Sequence, residues 1–119
     1  MEWEVEYTYE FGDWWSDLED AVQEDIAFAV GLLGKRRPSL EHPYSSAING
    51  SKHTHMRELR IQSGGNPVRA FYAFDPRRAA ILLIGGDKTG DKRFYEKFVP
   101  VADRLYDEHL DMLKKEGLI

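Results

Sequence analysis

"MRELRIQSGGNPVRAFYAFDPRRAAILLIGG", residues 56–86, contains three segments rich in apolar residues that are separated by two short turns. The segments are Met56–Gln62, Val68–Phe74 and Ala79–Ile84. Turns this short connect antiparallel strands, because a parallel crossover needs about a dozen residues or more. We therefore predict a three-stranded antiparallel meander. Its third strand is apolar throughout, so we place it inside the sheet with both faces covered, ending at Gly85-Gly86.

The residues before the meander predict one strand and one helix. Residues 2–11 alternate between apolar and polar side chains, which is typical of a half-buried strand with an acidic outer face. Apolar residues then recur every three or four positions from Trp15 to Leu33, which indicates an amphipathic helix. Asp13 or Ser16 can cap its start, and Gly34 is expected to end it. Residues 38–55 show no sustained periodicity and are predicted to form a loop.

A second helix follows the meander, with apolar residues at helical spacing from Phe94 to Leu113. Pro100 either bends this helix or marks its first turn. The order of elements predicts one α+β domain over residues 1–119. In it an N-terminal strand and the meander form an antiparallel sheet, and a helix packs on one face.

Composition excludes several kinds of protein. The absence of cysteine rules out disulfides and thiol catalysis. No stretch approaches the roughly 18 apolar residues of a membrane span. Because the acidic start is unlike a signal peptide, a cytoplasmic protein is expected.

The net charge of −5 is unevenly distributed along the chain. Residues 52–97 contain ten Lys and Arg against five Asp and Glu, whereas the remainder contains six against sixteen. This separation permits a local positive patch on an acidic protein, although two ordinary solvated faces would give the same counts.

Two local motifs fail to predict a cofactor or metal. Gly85 and Gly90 have the separation of the glycines in a Walker A loop, but Asp91 stands where that motif needs its lysine. His53 and His55 lack a neighbouring cysteine or carboxylate that would complete a metal site. They are expected to be solvent-exposed, with proton transfer near neutral pH as the alternative.

The basic residues of the meander suggest a phosphodiester ligand. Arg57 and Arg60 lie on opposite faces of the first strand, and Arg69 lies on the second. Further cations and a tyrosine follow the third strand: Lys88, Lys92, Arg93 and Tyr95. Strand ends that meet at one edge bring such side chains together, and guanidinium groups bind phosphate while a tyrosine stacks on a base or relays a proton. The alternative is a set of ordinary surface cations with Tyr95 in the core.

The same segments resemble the RelE/ParE toxin superfamily, most closely its HigB-like, phage Gp49-like branch. The matching residues are Glu58-Leu59-Arg60, Gly64-Gly65, Val68–Tyr72, Ala80–Ile84 and Lys88-Thr89, followed by the C-terminal helix. The resemblance implies a RelE-like fold and the toxin of a type II toxin-antitoxin system. It also implies a ribosome-dependent endoribonuclease that works without metal or other cofactor, through attack of a 2′-hydroxyl on the adjacent phosphate.

The resemblance also implies site residues. The catalytic positions would be Arg69 at the scissile phosphate, Tyr95, Arg60 and Lys88. The RNA-binding positions would be Arg57, Lys92, Arg93, Lys52, His53 and His55. Glu58 departs from the pattern, because RelE has lysine there.

The partners implied are a helix-turn-helix antitoxin encoded by the adjacent gene, the ribosome with its mRNA, and operator DNA through the antitoxin complex alone. No membrane partner is expected. The superfamily leaves two alternatives, a ParE-like inhibitor of DNA gyrase and a catalytically degenerate toxin that only binds its antitoxin.

Overall fold

The computed structural model describes residues 4–119, apart from the side chain of Arg37. The elements in chain order are β1 (Val5–Tyr7), α1 (Tyr9–Ser16), α2 (Asp20–Arg36), β2 (Ser45–Ala47), β3 (Arg57–Ser63), β4 (Asn66–Phe74), β5 (Ala80–Asp87) and α3 (Phe94–Lys115). A short 3-10 turn, Arg37–Ser39, follows α2. Strands and helices are segregated in the sense of an α+β fold, which confirms the predicted class.

The sheet has five strands in the order β1-β5-β4-β3-β2. The meander β3-β4-β5 is antiparallel, as its short turns predicted. β1 instead pairs parallel to β5, with Val5 opposite Ala80 and Tyr7 opposite Leu82. The prediction of a wholly antiparallel sheet is therefore wrong at this pair, where the chain between the two strands, which contains α1, α2 and β2 to β4, is long enough for the parallel arrangement. The predicted loop 38–55 was also wrong in part, since it contains β2, an edge strand antiparallel to β3.

Helices cover both faces of the sheet, whereas the sequence had suggested one. α1 and α2 bury residues such as Phe11, Ile26 and Leu33 against one face, together with Leu82 of β5. α3 covers the other face, where Leu83 of β5 packs among its aromatic and aliphatic side chains. The expectation that β5 is buried on both faces is confirmed, because its successive side chains point into two different cores.

The N-terminal strand is shorter than its alternating pattern suggested. Of the predicted strand, Glu2 and Trp3 lie outside the described residues, and β1 ends at Tyr7. Thr8 then caps α1: its Oγ1 accepts a hydrogen bond from the backbone N–H of Phe11 at 3.0 Å. A good N-cap so placed begins a helix where alternation alone predicted continued strand.

The predicted helix from Trp15 to Leu33 is two helices. α1 ends at Ser16 and α2 begins at Asp20, so the apolar period runs across a break in the backbone. Gly34 does not end α2, which continues to Arg36 just before Pro38. The proline, with its fixed φ and missing N–H, is thus the closer marker of the helix end.

The double glycine lies within β5 and does not end it. A Cβ on Gly85 would lie 2.2 Å from the Trp14 ring, and a Cβ on Gly86 would lie 2.8 Å from the Phe98 ring. The two glycines therefore allow one aromatic from α1 and one from α3 to lie directly against the strand from opposite faces.

α3 begins at Phe94, so Pro100 lies inside the helix and not in its first turn. Its carboxyl half is attached to the β4–β5 turn through the buried carboxylate of Asp75, which lies 2.9 Å from Nε2 of His109. Within residues 4–119, none of the helices combines the length and apolar character needed to cross a membrane.

Candidate functional site

Four side chains from β3, β4 and α3, and a fifth from the residue after β5, lie together at one end of the sheet. Glu58 and Arg60 share a face of β3 because they are two residues apart, and Arg60 is directly opposite Arg69 of β4. Tyr95 projects from the first turn of α3, and Lys88 follows β5. These five residues are called the Glu58 cluster below.

Glu58 lies at the centre of the cluster and is 4% exposed. Its Oε1 accepts a hydrogen bond from the Tyr95 hydroxyl at 2.8 Å and lies 3.4 Å from Nε of Arg69. Its Oε2 lies 3.5 Å from a terminal nitrogen of Arg60. A buried carboxylate needs such compensation, and two arginines and a phenol provide it for Glu58.

Glu58 was missed as a functional residue, because sequence comparison marked it only as a departure from RelE. The spacing of Glu58 and Arg60 by two on one strand already placed them on the same face. The antiparallel turn between β3 and β4 placed an arginine of the next strand on that face as well. The strand alternation in the sequence could therefore have placed Glu58 beside the two arginines.

Arg69 is nearly buried, with 4% of its surface exposed. One terminal nitrogen donates to the backbone carbonyl of Val68 at 3.0 Å. Its Nε is buried and without a hydrogen-bond partner in the described part of the chain, since the contact with Glu58 is an ion pair without hydrogen-bond geometry. Arg60, whose side chain is 31% exposed, presents its guanidinium to solvent instead.

Tyr95 connects the buried charges to the surface. Burial raises the pKa of its hydroxyl, and the hydrogen bond and negative charge of Glu58 raise it further, while Arg69 acts in the opposite direction. The phenol is therefore protonated near neutral pH and is a proton donor to Glu58. The ammonium of Lys88 lies 5.2 Å from the centroid of the Tyr95 ring, a cation–π distance.

Three more predicted cations have different positions. Arg57 faces the α2 side of the sheet, where its Nε donates to Oγ of Ser45 at 2.9 Å, so it is not brought into the Glu58 cluster. Lys92 and Arg93 are exposed just before α3, next to Tyr95 along the chain. Arg93 lies 3.6 Å from Glu96 in a solvent-exposed ion pair.

Lys52, His53 and His55 lie against the second half of α3. Lys52 and His53 both contact Asp107, His53 at 2.9 Å, and Nε2 of His55 lies 3.1 Å from the Tyr106 hydroxyl. Tyr106 follows Tyr95 by eleven residues, which is roughly 16 Å along a helix.

These three residues therefore do not join the Glu58 cluster. The expectation of solvent-exposed histidines is wrong for His53, whose side chain is 18% exposed. Burial, followed by the charge of His53, lowers the pKa of His55. Among residues 4–119 no group of three or more His, Asp or Glu side chains is arranged to hold a metal ion.

The chain is similar to a known protein family over most of its length. The model of the "Phage derived protein Gp49-like" family matches residues 13–107. Two relatives from Mycobacterium tuberculosis are named as HigB toxins. HigB3 is 39% identical over 98 residues, covering 82% of this chain and 84% of HigB3. HigB2 is 36% identical over 99 residues, and there the chain spans about half of the relative's length, 49%.

Solved structures show the same fold at low sequence identity. A mutant of the E. coli toxin RelE in the free state superimposes with a TM-score of 0.60 at 13% identity, covering 81% of this chain and 94% of RelE. The archaeal RelE-RelB complex from Pyrococcus horikoshii contains a chain with a TM-score of 0.55 at 13% identity, covering 76% of this chain and 99% of that one. The predicted RelE-like fold is confirmed.

Proposed function

This chain belongs to the phage Gp49-like, HigB-type branch of the RelE/ParE toxin superfamily, and from this membership we propose that it cuts mRNA on the ribosome. In the proposed reaction a ribose 2′-hydroxyl attacks the adjacent phosphate, so that the bond from 2′-oxygen to phosphorus forms and the bond to the 5′-oxygen breaks. The products are a 2′,3′-cyclic phosphate and a free 5′-hydroxyl. The observation that supports this assignment best is the Glu58 cluster.

The charges of the cluster suit a phosphodiester. Two arginines contact one carboxylate and Lys88 lies over the Tyr95 ring, which leaves a net positive charge at a point where Arg60 and Lys88 are accessible. We assign these two residues to the phosphate oxygens, because charge-assisted hydrogen bonds to phosphate are strong and stabilise the crowded pentavalent state. Arg69 is buried, so it contributes a positive charge from inside the protein and also holds Glu58 in place.

Tyr95 and Glu58 are suited to move the proton. Since Tyr95 already donates to Glu58 at 2.8 Å, its oxygen accepts the 2′-hydroxyl proton as its own proton passes to the carboxylate. The leaving 5′-oxygen takes a proton from water beside the Lys88 ammonium, and the hydroxide so formed takes back, through Tyr95, the proton held by Glu58. Every group in this step belongs to the chain, the RNA or the solvent.

The exposed residues before α3 extend the positive surface. Lys92 and Arg93 lie next to Tyr95 along the chain, and we assign them to the RNA backbone on either side of the cut. Arg57, which lies on the far face, is not included in this site. The ribosome and its mRNA place the reaction in the cytoplasm.

We further propose an antitoxin partner, encoded by the neighbouring gene and carrying a helix-turn-helix domain. Operator DNA would be bound through that complex alone. The archaeal RelE-RelB complex supports this proposal, because its RelE chain has the fold described above.

The proposal is tested by inducing the protein in cells and mapping mRNA ends by primer extension. The wild type is expected to arrest growth and produce cuts inside translated regions. The double variant Arg60→Ala/Lys88→Ala is expected to produce neither. Arg104→Ala is the matched control, because its guanidinium lies on an exposed turn of α3 and pairs with Glu108 at 2.9 Å. Growth arrest with intact mRNA would overturn the proposal.

A second candidate is a toxin that binds its antitoxin without cutting RNA. It is favoured by Glu58 itself, whose carboxylate already neutralises part of the charge on Arg60 and Arg69. A protein that binds antitoxin but neither slows growth nor cuts mRNA would establish this reading. DNA breaks with inhibited supercoiling would instead indicate a ParE-like gyrase inhibitor.

A further inference from the structure

An open groove lies on the sheet face opposite the Glu58 cluster. It encloses about 680 Å³ between α1, α2 and the segment that joins β1 to α1. Its lining includes Leu82, which packs in the α1–α2 core, whereas Glu58 and Arg69 lie on the α3 side. Two aromatic side chains at its edge are unusually exposed, Tyr9 at 91% and Tyr7 at 68%.

The groove is shaped by helical spacing. Tyr9, Gly12, Asp13 and Ser16 all line it from α1, and their spacing of three and four residues places them on one face of that helix. Because Gly12 has no side chain, the α1 side of the groove is open at this position. The opposite wall comes from α2, where Ala27 is small and exposed. A groove between two helices matches the ridge of a third helix, as in grooves that accept amphipathic partners.

The charge around the groove has one sign. Residues 4–34 contain nine Asp and Glu and no Lys, Arg or His. Asp13 lines the groove itself, and Asp20 and Glu24 fall on the same face of α2 as Ala27. Among the described residues, Glu6 is the one member of this acidic set in an ion pair, with Arg77 at 3.0 Å. Asp25 accepts a hydrogen bond from Oγ of Ser63 at 2.6 Å, whereas Asp13, Asp20 and Glu24 make no ion pair within the described part of the chain and are available to a partner.

We propose that this groove binds a basic amphipathic helix of a partner protein. The apolar side chains of that helix, at positions i, i+3 or i+4 and i+7, would enter between Tyr9 and Ala27. Its lysines and arginines would face Asp13, Asp20 and Glu24 across the rim. Nucleic acid and acidic helices are repelled by the same rim. The site lies behind the sheet from Arg60, so its occupant leaves the proposed RNA site uncovered.

A peptide experiment tests the proposal directly. The probe is a fluorescent peptide of about 16 residues, long enough to hold a helix, with leucines at helical spacing and lysines elsewhere. One control peptide replaces each lysine by glutamate, and a second has the same composition with the leucines scrambled. Fluorescence anisotropy is expected to show binding of the first peptide at least roughly tenfold tighter than of either control.

Two tryptophan substitutions place the binding site. Ala27→Trp fills the groove and is expected to weaken binding roughly tenfold or more, whereas Ala21→Trp, on an exposed part of α2 outside the groove lining, leaves it unchanged. Asp13→Lys is expected to weaken peptide binding through charge alone. It is also expected to make the peptide affinity less dependent on salt concentration. Circular dichroism of each variant shows that the fold is retained.

Equal binding of the scrambled peptide, or full binding by Ala27→Trp, would overturn the proposal. The result is independent of RNA cleavage. Arg60→Ala is expected to leave peptide affinity unchanged, and Ala27→Trp is expected to leave mRNA cleavage unchanged, because the two residues lie on opposite faces of the sheet.

Discussion

The hydroxyl of Tyr95 donates a hydrogen bond of 2.8 Å to the buried carboxylate of Glu58, and this contact joins the start of α3 to β3. Tyr95 is partly exposed, and Glu58 is 4% exposed. The pair therefore connects the surface where RNA would lie to a buried proton acceptor.

Removal of the Tyr95 hydroxyl is the most direct test of that connection. Tyr95→Phe keeps the ring and its packing but breaks the path to Glu58, so we expect cleavage to fall by roughly 10² to 10⁴, the range for loss of a general acid or base. Tyr9→Phe is the matched control, because Tyr9 is 91% exposed and lies on α1, which covers the opposite face of the sheet. Unchanged cleavage by Tyr95→Phe would exclude the proposed proton path.

Arg69 and Glu58 are expected to be coupled in stability. Arg69→Ala leaves Glu58 buried with less compensation, which typically costs about 3–5 kcal/mol in the free energy of unfolding. The double variant Arg69→Met/Glu58→Met removes both charges and is expected to lose less than the sum of the single Met variants, by about 0.5–3 kcal/mol. Urea denaturation of the four proteins measures this coupling. Additive losses would show that the 3.4 Å contact carries no interaction.

This coupling also determines which variants test catalysis. A loss of toxicity in Arg69→Ala would report unfolding as well as chemistry, since the residue is 4% exposed. Arg60 and Lys88 are more accessible, so their replacement tests phosphate binding with less damage to the fold.

The close approach of Trp14 to β5 predicts a sharp difference between two glycines. Gly85→Ala places a Cβ 2.2 Å from the Trp14 ring, and overpacking of this kind usually costs about 1–3 kcal/mol. Gly31→Ala on α2 meets nothing within 4 Å and is expected to stabilise by roughly 0.5–1 kcal/mol. Thermal unfolding should therefore move in opposite directions, and a neutral Gly85→Ala would contradict the described packing.

Asp75 is expected to make the free energy of unfolding depend on pH in the acidic range. Burial acts to raise the pKa of its carboxyl, but hydrogen bonds from Arg77, His109 and two backbone amides outweigh this, and the pKa is lowered. A lowered folded pKa stabilises the protein above the unfolded value of about 3.9, and this contribution is lost as the pH falls through the folded pKa.

Asp75→Asn removes that contribution. The difference in unfolding free energy between wild type and Asp75→Asn is expected to be largest above about pH 5 and to shrink on acidification. Urea denaturation across the pH range measures this difference. Asp111→Asn is the control, because Asp111 is exposed. A difference that grows towards low pH would contradict the assigned direction.

The sequence predicted the parts of the fold that local chemistry decides. Short turns determined the antiparallel meander, and helical spacing located α3 within one residue of its observed start at Phe94. The parallel pairing of β1 with β5 was not predictable in the same way, because the sequence of a three-residue strand does not indicate which strand it pairs with or in which direction. The Thr8 cap that ends the alternating segment was overlooked, although threonine is a common N-cap.

The candidate site was predicted in part. The register of β3 and β4 brought Arg60 and Arg69 together as expected, and Tyr95 joined them. The burial of Arg69 could not be predicted from the sequence, because it depends on how α3 packs across the sheet. Lys52 and the histidines were close in sequence to β3, but Asp107 and Tyr106 hold them on a distant part of α3.

The proposed cleavage of mRNA on the ribosome through the Glu58 cluster is tested most directly in a purified translation system. Primer extension on a defined mRNA, with and without ribosomes, locates the cuts. We expect cleavage by the wild type only when ribosomes translate the message, and none by Arg60→Ala/Lys88→Ala. An intact message in the presence of ribosomes and folded wild-type protein, or equal cleavage by the double variant, would contradict it.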